Sequence, residues 1–324
     1  MIRQTIRSIF HPEQFQGWAR RKSYFEGWYF KEVNRAEDKA LAIIPGIAID
    51  GNGNRQAFIQ VLDGKKRTAK YHKFESDLFL TAQDRFQISI NGNQFSNKNL
   101  LLDIPGLKGE LNFERNVPWP NRWYSPGIMG PYSFLPFMEC NHGIISMDHS
   151  VTGHLELEGE LLNFDQGRGY TEKDWGKSFP SAYIWLQSNH FSNSGISLKV
   201  SVAKIPYLGY SFVGFIAGIW MDDRLIQFTT YNQSRLLKSY VDAEKVELVI
   251  QNKKYTLEIL VKREPSNALA SPILGLMDGR IEESMNARPE VLLTDRQSGK
   301  LIFNDTGRNG GLEVAGKIEE ILIT

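Results

Sequence analysis

Hydrophobic and polar positions alternate along most of this chain with a period of two. In "HLELEGELL" (residues 154–162) Leu155 and Leu157 stand opposite Glu156 and Glu158, as in an antiparallel strand with one dry and one wet face. "SYFEGWYFKEV", "ALAIIPGIAI", "QAFIQVL", "RFQISI", "ISLKVSVAKI", "FVGFIAGIW" and "KVELVI" are rich in β-branched and aromatic residues and read as further strands. "DGNGN", "NGN" and "DD" between them carry the turn chemistry of hairpins. No amphipathic helix of ordinary length emerges, and "TAKYHKFESDLF" (68–79) has room for one helical turn at most. The expectation is an all-β chain of meander-like hairpins, closed into barrels or sandwiches.

One segment breaks the rhythm. Residues 116–138, "NVPWPNRWYSPGIMGPYSFLPFM", hold five prolines and a run of aromatics from Trp119 to Phe137 without alternation. A connection of this length is functional or disordered, and its aromatics argue for function. It reads as a lid over an apolar site or the cover of a barrel end. With 324 residues the chain exceeds the usual single domain. A second set of strands begins near residues 150–168, which sets an N-terminal domain at 1–160, including the aromatic segment, and a C-terminal domain at 161–324.

Bulk composition narrows the class. Apolar residues make up 41% and charged residues 23%, which suits a soluble globular protein with a real core. A formal net charge of +1 provides no basic field, so nucleic acid is not an expected partner. "MIRQTIRSIF" lacks the apolar centre of a signal peptide, and no stretch approaches the roughly 20 apolar residues of a membrane span. The single cysteine, Cys140, forms no intramolecular disulfide and points to a reducing, cytoplasmic setting. It reads as an inert buried thiol before a nucleophile. "GNGNR" lacks the surroundings of a phosphate-binding loop, and "YSPG" around Ser125 is no nucleophile elbow. No cofactor is expected.

Candidate chemistry comes from strand faces, because alternate residues share a side. Tyr24, Glu26, Trp28 and Phe30 fall together, with Phe25, Tyr29 and Lys31 opposite. A glutamate among three aromatics is a proton-donor candidate if that face is dry; a buried cationic partner is the alternative. Tyr170, Glu172 and Asp174 share a face with Trp175 on the other, and carboxylates two residues apart along a strand lie about 7 Å apart. Tyr183, Trp185, Gln187 and Asn189 share a face that mixes indole and amides, as cavity linings do, while Ile184, Leu186 and His190 share the other. In "ECNHGIISMDHSVTGH" Cys140, His142, Ser146 and Asp148 have one parity and Asn141 and His149 the other. These histidines and acids, with His154, match no closed metal site, so no metal is expected. A His–Asp pair working as acid and base is the stronger reading.

Three segments together, "YFEGWYFK", "ECNHGIISMDHSVTG" and "GYTEKDWGKSFPSAYIWLQSNHF", resemble the tocopherol cyclase family in content and order. The resemblance runs from about Phe10 to the C-terminus, and a start so close to the family segment suits a bacterial form without a plastid transit peptide. It implies two lipocalin-like (calycin-type) antiparallel β-barrels related to the carotenoid hydratase fold. It also implies an enzyme that closes a prenylated hydroquinone to a chromanol by protonating an alkene, or carries out a related hydration. A carrier that binds a hydrophobic small molecule without chemistry is the alternative. On the cyclase reading Asp174 or Glu172 is the acid, Glu26 the reserve, and His142 or Asp148 the acceptor of the phenol proton. Trp28, Trp175 and Trp185 face the cation, Gln187 and Asn189 bind the quinol oxygens, and Tyr29 and Lys177 complete the binding set. Lys177 paired with Asp174 is the alternative that would hold that acid ionised. The implied partner is a prenylquinol or another lipid, with a peripheral membrane contact as the route to collect it.

Overall fold

The computed structural model describes residues 7, 9–136, 138–264 and 266–323. Phe137 of the aromatic segment and most of the basic N-terminal stretch lie outside the described residues. The chain divides into two compact units, Met1–Phe179 with Leu269–Arg280, and Pro180–Ala268 with Ile281–Thr324.

Twelve strands open the chain: β1 (Tyr24–Val33), β2 (Ala40–Ile49), β3 (Arg55–Asp63), β4 (Thr68–Glu75), β5 (Phe79–Thr81), β6 (Gln87–Ile90), β7 (Asn93–Ser96), β8 (Asn99–Ile104), β9 (Leu107–Glu114), β10 (Cys140–Leu157), β11 (Glu160–Asn163) and β12 (Gly167–Gly176). They form one sheet in the order β4-β3-β2-β1-β12-β10-β9-β8-β7-β6-β5, with β11 beside β10. Strands from both arms of that path share one apolar cluster: Trp28, Phe30, Ile43 and Ile59 from one side meet Ile88, Phe95, Leu100 and Leu111 from the other. The sheet therefore curls around its own core, although no ladder joins β4 to β5 among the described residues. Residues 68–79, expected to hold a helical turn, are strand β4 followed by a 3-10 turn at Ser76–Leu78.

The remaining strands are β13 (Ala182–Ser188), β14 (Ser197–Tyr207), β15 (Tyr210–Met221), β16 (Arg224–Thr229), β17 (Arg235–Val241), β18 (Lys245–Gln251), β19 (Tyr255–Lys262), β20 (Asn267–Ile273), β21 (Leu276–Ala287), β22 (Glu290–Asp295), β23 (Leu301–Thr306) and β24 (Gly310–Gly316). They make two sheets, β16-β15-β14-β13-β24-β21-β20 and β17-β18-β19-β22-β23. In the second unit Ile184, Leu186, Val200 and Ile219 from one sheet pack with Val246, Leu248, Leu257 and Val291 from the other over a single core. Alternation supplies this core directly, since β18 and β19 bury every second residue.

The expected boundary at residues 160/161 is corrected by the position of β12. That strand hydrogen-bonds between β1 and β10, at the centre of the first unit, and the division falls at Phe179/Pro180. No periodicity reveals a strand's partners, so the last strand of one sheet reads in sequence like the first of the next.

Two irregularities in the β10–β12 ladder, at Ile144/Ser146 and Ser146/His149, each add a residue to β10. They overturn the simple parity for Ser146 and cancel by His149, which keeps the side expected of it. His142 lies opposite Asp174, whereas Ser146 lies opposite Thr171 and His149 opposite Gly169, on the other side of the sheet. There His149 meets Glu32 from β1 at 3.3 Å, both fully buried, with the Phe113 ring centred 4.7 Å from the imidazole. Gly169 is the space for this pair: a Cβ there would overlap Glu32 Oε2 and His149 Nε2. Gly169→Ala should therefore destabilise the protein by about 1–3 kcal/mol, read from the midpoint of chemical denaturation.

Candidate active site

Strand β12 is covered on both faces, and its alternation sorts the candidate residues into two groups. Thr171 and Lys173 point to the apolar interior with Trp28 and Phe30, their partners across the ladder. Tyr170, Glu172 and Asp174 point to the opposite side, with Tyr29 across from Glu172 on β1 and His142 across from Asp174 on β10.

The interior group is an anchor. Lys173 is fully buried and ion-pairs with Glu26 at 2.5 Å. Its ammonium also donates to the carbonyls of Pro12 (2.9 Å) and Gln14 (2.5 Å). Glu26 accepts in addition from the Tyr24 hydroxyl at 2.6 Å and the Gln16 amide at 2.8 Å, while Trp28 Nε1 donates to the Glu13 carbonyl at 2.9 Å. These bonds fasten residues 12–16 across the sheet. Burial lowers the pKa of Lys173 and the Glu26 charge opposes that shift. A carboxylate with this many donors is committed as an acceptor, which argues against Glu26 as the reserve acid. The indoles of Trp28 and Trp175 do face a cation, but it is Lys173, at 4.7 and 4.6 Å from the ring centroids. Lys173→Met, which strands the Glu26 charge, should cost about 3–5 kcal/mol; Glu26→Gln added to it should restore part of the loss in the same denaturation assay.

The second group is a four-residue chain of polar contacts. His142 Nδ1 lies 2.7 Å from Asp174 Oδ1, and His142 Nε2 lies 3.5 Å from Glu172 Oε2, at ion-pair range without hydrogen-bond alignment. The Tyr170 hydroxyl donates to Glu172 Oε2 at 2.5 Å. The chain runs from dry to wet: the side chains of Glu172, His142 and Asp174 are 5%, 14% and 24% exposed. Ligand atoms of the three lie within 4.8 Å of one another, so a metal ion is geometrically conceivable. The 2.7 Å His–Asp contact, however, has the length of a hydrogen bond and is short for two ligands each about 2 Å from one ion.

The other predicted residues separate from this cluster. Asp148, a candidate base, spends both oxygens on Arg168, with Nε 3.0 Å from Oδ1 and the second nitrogen 2.6 Å from Oδ2; a carboxylate clamped by a guanidinium is a poor proton acceptor. Lys177 is exposed, and its charge acts on Glu139, whose pKa burial raises. Burial pushes the Cys140 thiol well up, with Asp174 and Glu139 adding to the shift, as an inert thiol requires. Within the aromatic segment Trp119 is buried while Trp123 is 80% exposed.

In the second unit Ile184 and Leu186 join the apolar core, and Trp185 and Gln187 occupy the other side of β13. Trp185 lies across from Ser201 and Glu313, and Gln187 across from Lys199. Lys199 places its ammonium 4.9 Å from the Trp185 ring and donates to Ser201 Oγ at 2.7 Å; Tyr183 donates to Glu313 at 2.8 Å. Asn189 bonds its neighbour His190 at 2.9 Å. The alternation of "ISLKVSVAKI" carried the signal for Lys199 and Ser201. The Tyr170–Glu172 contact was equally legible as an i, i+2 pair on one face. The Glu32–His149 pair was hidden because its two residues come from strands whose pairing the sequence does not show.

The family model for "Tocopherol cyclase-like" matches residues 110–316, which takes in β10, β12 and the whole His142–Glu172–Asp174 cluster. The chain belongs to the tocopherol cyclase-like family. Among curated relatives it is 27% identical over 192 residues to "Probable tocopherol cyclase, chloroplastic" of Oryza sativa subsp. japonica, a match covering 56% of this chain and 40% of that protein. A match to "Tocopherol cyclase, chloroplastic" of Zea mays is 32% identical over 68 residues, 21% of this chain and 14% of that protein. The matches thus span less than half the length of these relatives. Among solved structures, CghA with Sch210972 superposes with a TM-score of 0.58 at 10% identity, over 90% of this chain and 88% of that one. Kievitone hydratase from Nectria haematococca superposes at 0.51 and 9% identity, over 90% and 89%. Both likenesses concern the fold, which is all-β and lipocalin-like. No helix among the described residues is long and apolar enough to cross a membrane.

Glu32 adds a pH dependence. Burial raises its pKa above the ordinary 4.5, with His149 and Lys31 opposing. A carboxyl that holds its proton more tightly when folded stabilises the fold below the unfolded value, and that contribution is lost as pH rises through the folded value. Stability of the wild type relative to Glu32→Gln should therefore fall as pH rises from about 4.5, measured by urea midpoints across pH.

Proposed function

We propose that this protein is an acid-catalysed cyclase that closes a prenylated hydroquinone to a chromanol, with Asp174 as the proton donor. The observation that carries the reading is the His142–Asp174 hydrogen bond of 2.7 Å at the most exposed end of a buried polar chain. Family membership and the names of the plant relatives support the substrate class.

The chemistry closes without a redox partner, because reactant and product are isomers. Asp174 in its acid form gives a proton to the less substituted alkene carbon, and the positive charge develops on the tertiary carbon. His142, 2.7 Å from Oδ1, orients the carboxyl group. The phenol oxygen attacks the cation, its C–O bond forms, and the phenol proton returns to Asp174. Folding tail and ring into one reactive pose supplies much of the acceleration. Peripheral contact with a membrane, with the exposed Trp123 and Tyr124 as the apolar points, is the route by which such a substrate would be collected.

The test is turnover of a prenylated trimethylhydroquinone by purified protein, followed by chromatography of the chromanol. Asp174→Asn should lower the rate by about 100-fold or more while leaving the substrate Kd within a few-fold. Binding without conversion by the wild type would make the protein a carrier and remove Asp174 from catalysis.

A further inference from the structure

Tyr170 is fully buried beside His142, Glu172 and Asp174, and the proposed reaction gives it no task. It stands two residues before Glu172 on the same face of β12, and its hydroxyl donates to Glu172 Oε2 at 2.5 Å. His142 Nε2 faces that same oxygen at 3.5 Å. We propose that Tyr170 is a positioning residue: by committing Oε2 of Glu172 as an acceptor it sets the proton arrangement of His142, so that Nδ1 is the atom exchanging a proton with Asp174.

The reasoning follows from lone pairs. Burial and the neighbouring Glu172 push the Tyr170 phenol well above 10, so it keeps its proton and remains a donor over the working range. Oε2 of Glu172 is thereby engaged as an acceptor of the Tyr170 hydroxyl. A lone pair on Nε2 would then face a lone pair on Oε2, whereas Nε2–H would face an acceptor. The neutral imidazole is thereby held with its proton on Nε2, and Nδ1 presents its lone pair to Asp174 Oδ1. This is the logic by which a buried acceptor selects a histidine tautomer in other proton relays. Other titratable or charged groups facing the cluster are Tyr29 and Lys31 across from Glu172 and Tyr170 on β1, Cys140 on β10, and the Asp148–Arg168 pair. A purely structural tyrosine would need only some acceptor for its hydroxyl.

The role of Asp174 rests on the cyclase reading; the Tyr170–Glu172–His142 arrangement rests on geometry alone, and the experiment separates them. Histidine side-chain 15N NMR of the full chain, at a pH where the ring is neutral, should show His142 protonated on Nε2. Tyr170→Phe and Glu172→Gln should each raise the Nδ1-protonated fraction. Tyr170→Phe should also lower kcat by about tenfold at nearly unchanged KM and displace the pH–rate profile. Unchanged ring signals and an unmoved profile, with only a lower melting temperature, would reduce Tyr170 to packing. If the wild type converts no prenylated hydroquinone, the cyclase reading fails, while the NMR result still decides the place of Tyr170.

Discussion

A strand covered on both faces has little wet surface on which to leave charge, and β12 is such a strand. Its sequence nevertheless carries Glu172, Lys173 and Asp174 in succession. Alternation sends the lysine one way and the carboxylates the other, so each charge has to be met by a partner on a neighbouring strand. β1 meets Lys173 with Glu26, and β10 meets Asp174 with His142. The central ladder β1-β12-β10 is thus held in register by these side-chain pairs as well as by backbone bonds.

The two sides of that ladder use their charges differently. Inside, Lys173 is saturated by one carboxylate and two carbonyls. Breaking such a pair is costly, yet forming it adds little net stability, so its effect is placement: it fastens residues 12–16 at one position on the sheet. The Glu32–His149 pair, farther along the same side, is equally dry. On the other side the polar chain ends at a partly exposed aspartate. On that side the titratable group at the end of the chain is partly open to solvent.

Much of the cluster was legible in residue order. Period-two reasoning put Tyr170, Glu172 and Asp174 on one face, and it separated the Trp185 and Gln187 side of β13 from the Ile184 and Leu186 core. It failed where the backbone departs from regularity. The first bulge in β10 turned Ser146 to the interior, which a count of residues cannot anticipate, and the second cancelled it, so His149 keeps the side that counting gave it. It was also blind to partners: an alternating pattern shows that Glu26 sits among aromatics, but not that Lys173, 147 positions later, occupies the space a cation would need. Asp148 was misread for the same reason, since its clamp, Arg168, comes from another strand.

By itself, the sequence determined the all-β class, the strand faces and the family, because each depends on local alternation and on motifs contiguous in the chain. The tertiary structure decided which acids are spent. Glu26 and Asp148 are neutralised by cations brought from distant positions, whereas Asp174 meets an imidazole at hydrogen-bond distance. Strand pairing sets those distances, and Coulomb interaction in a dry interior depends so steeply on them that carboxylates alike in sequence end with different partners.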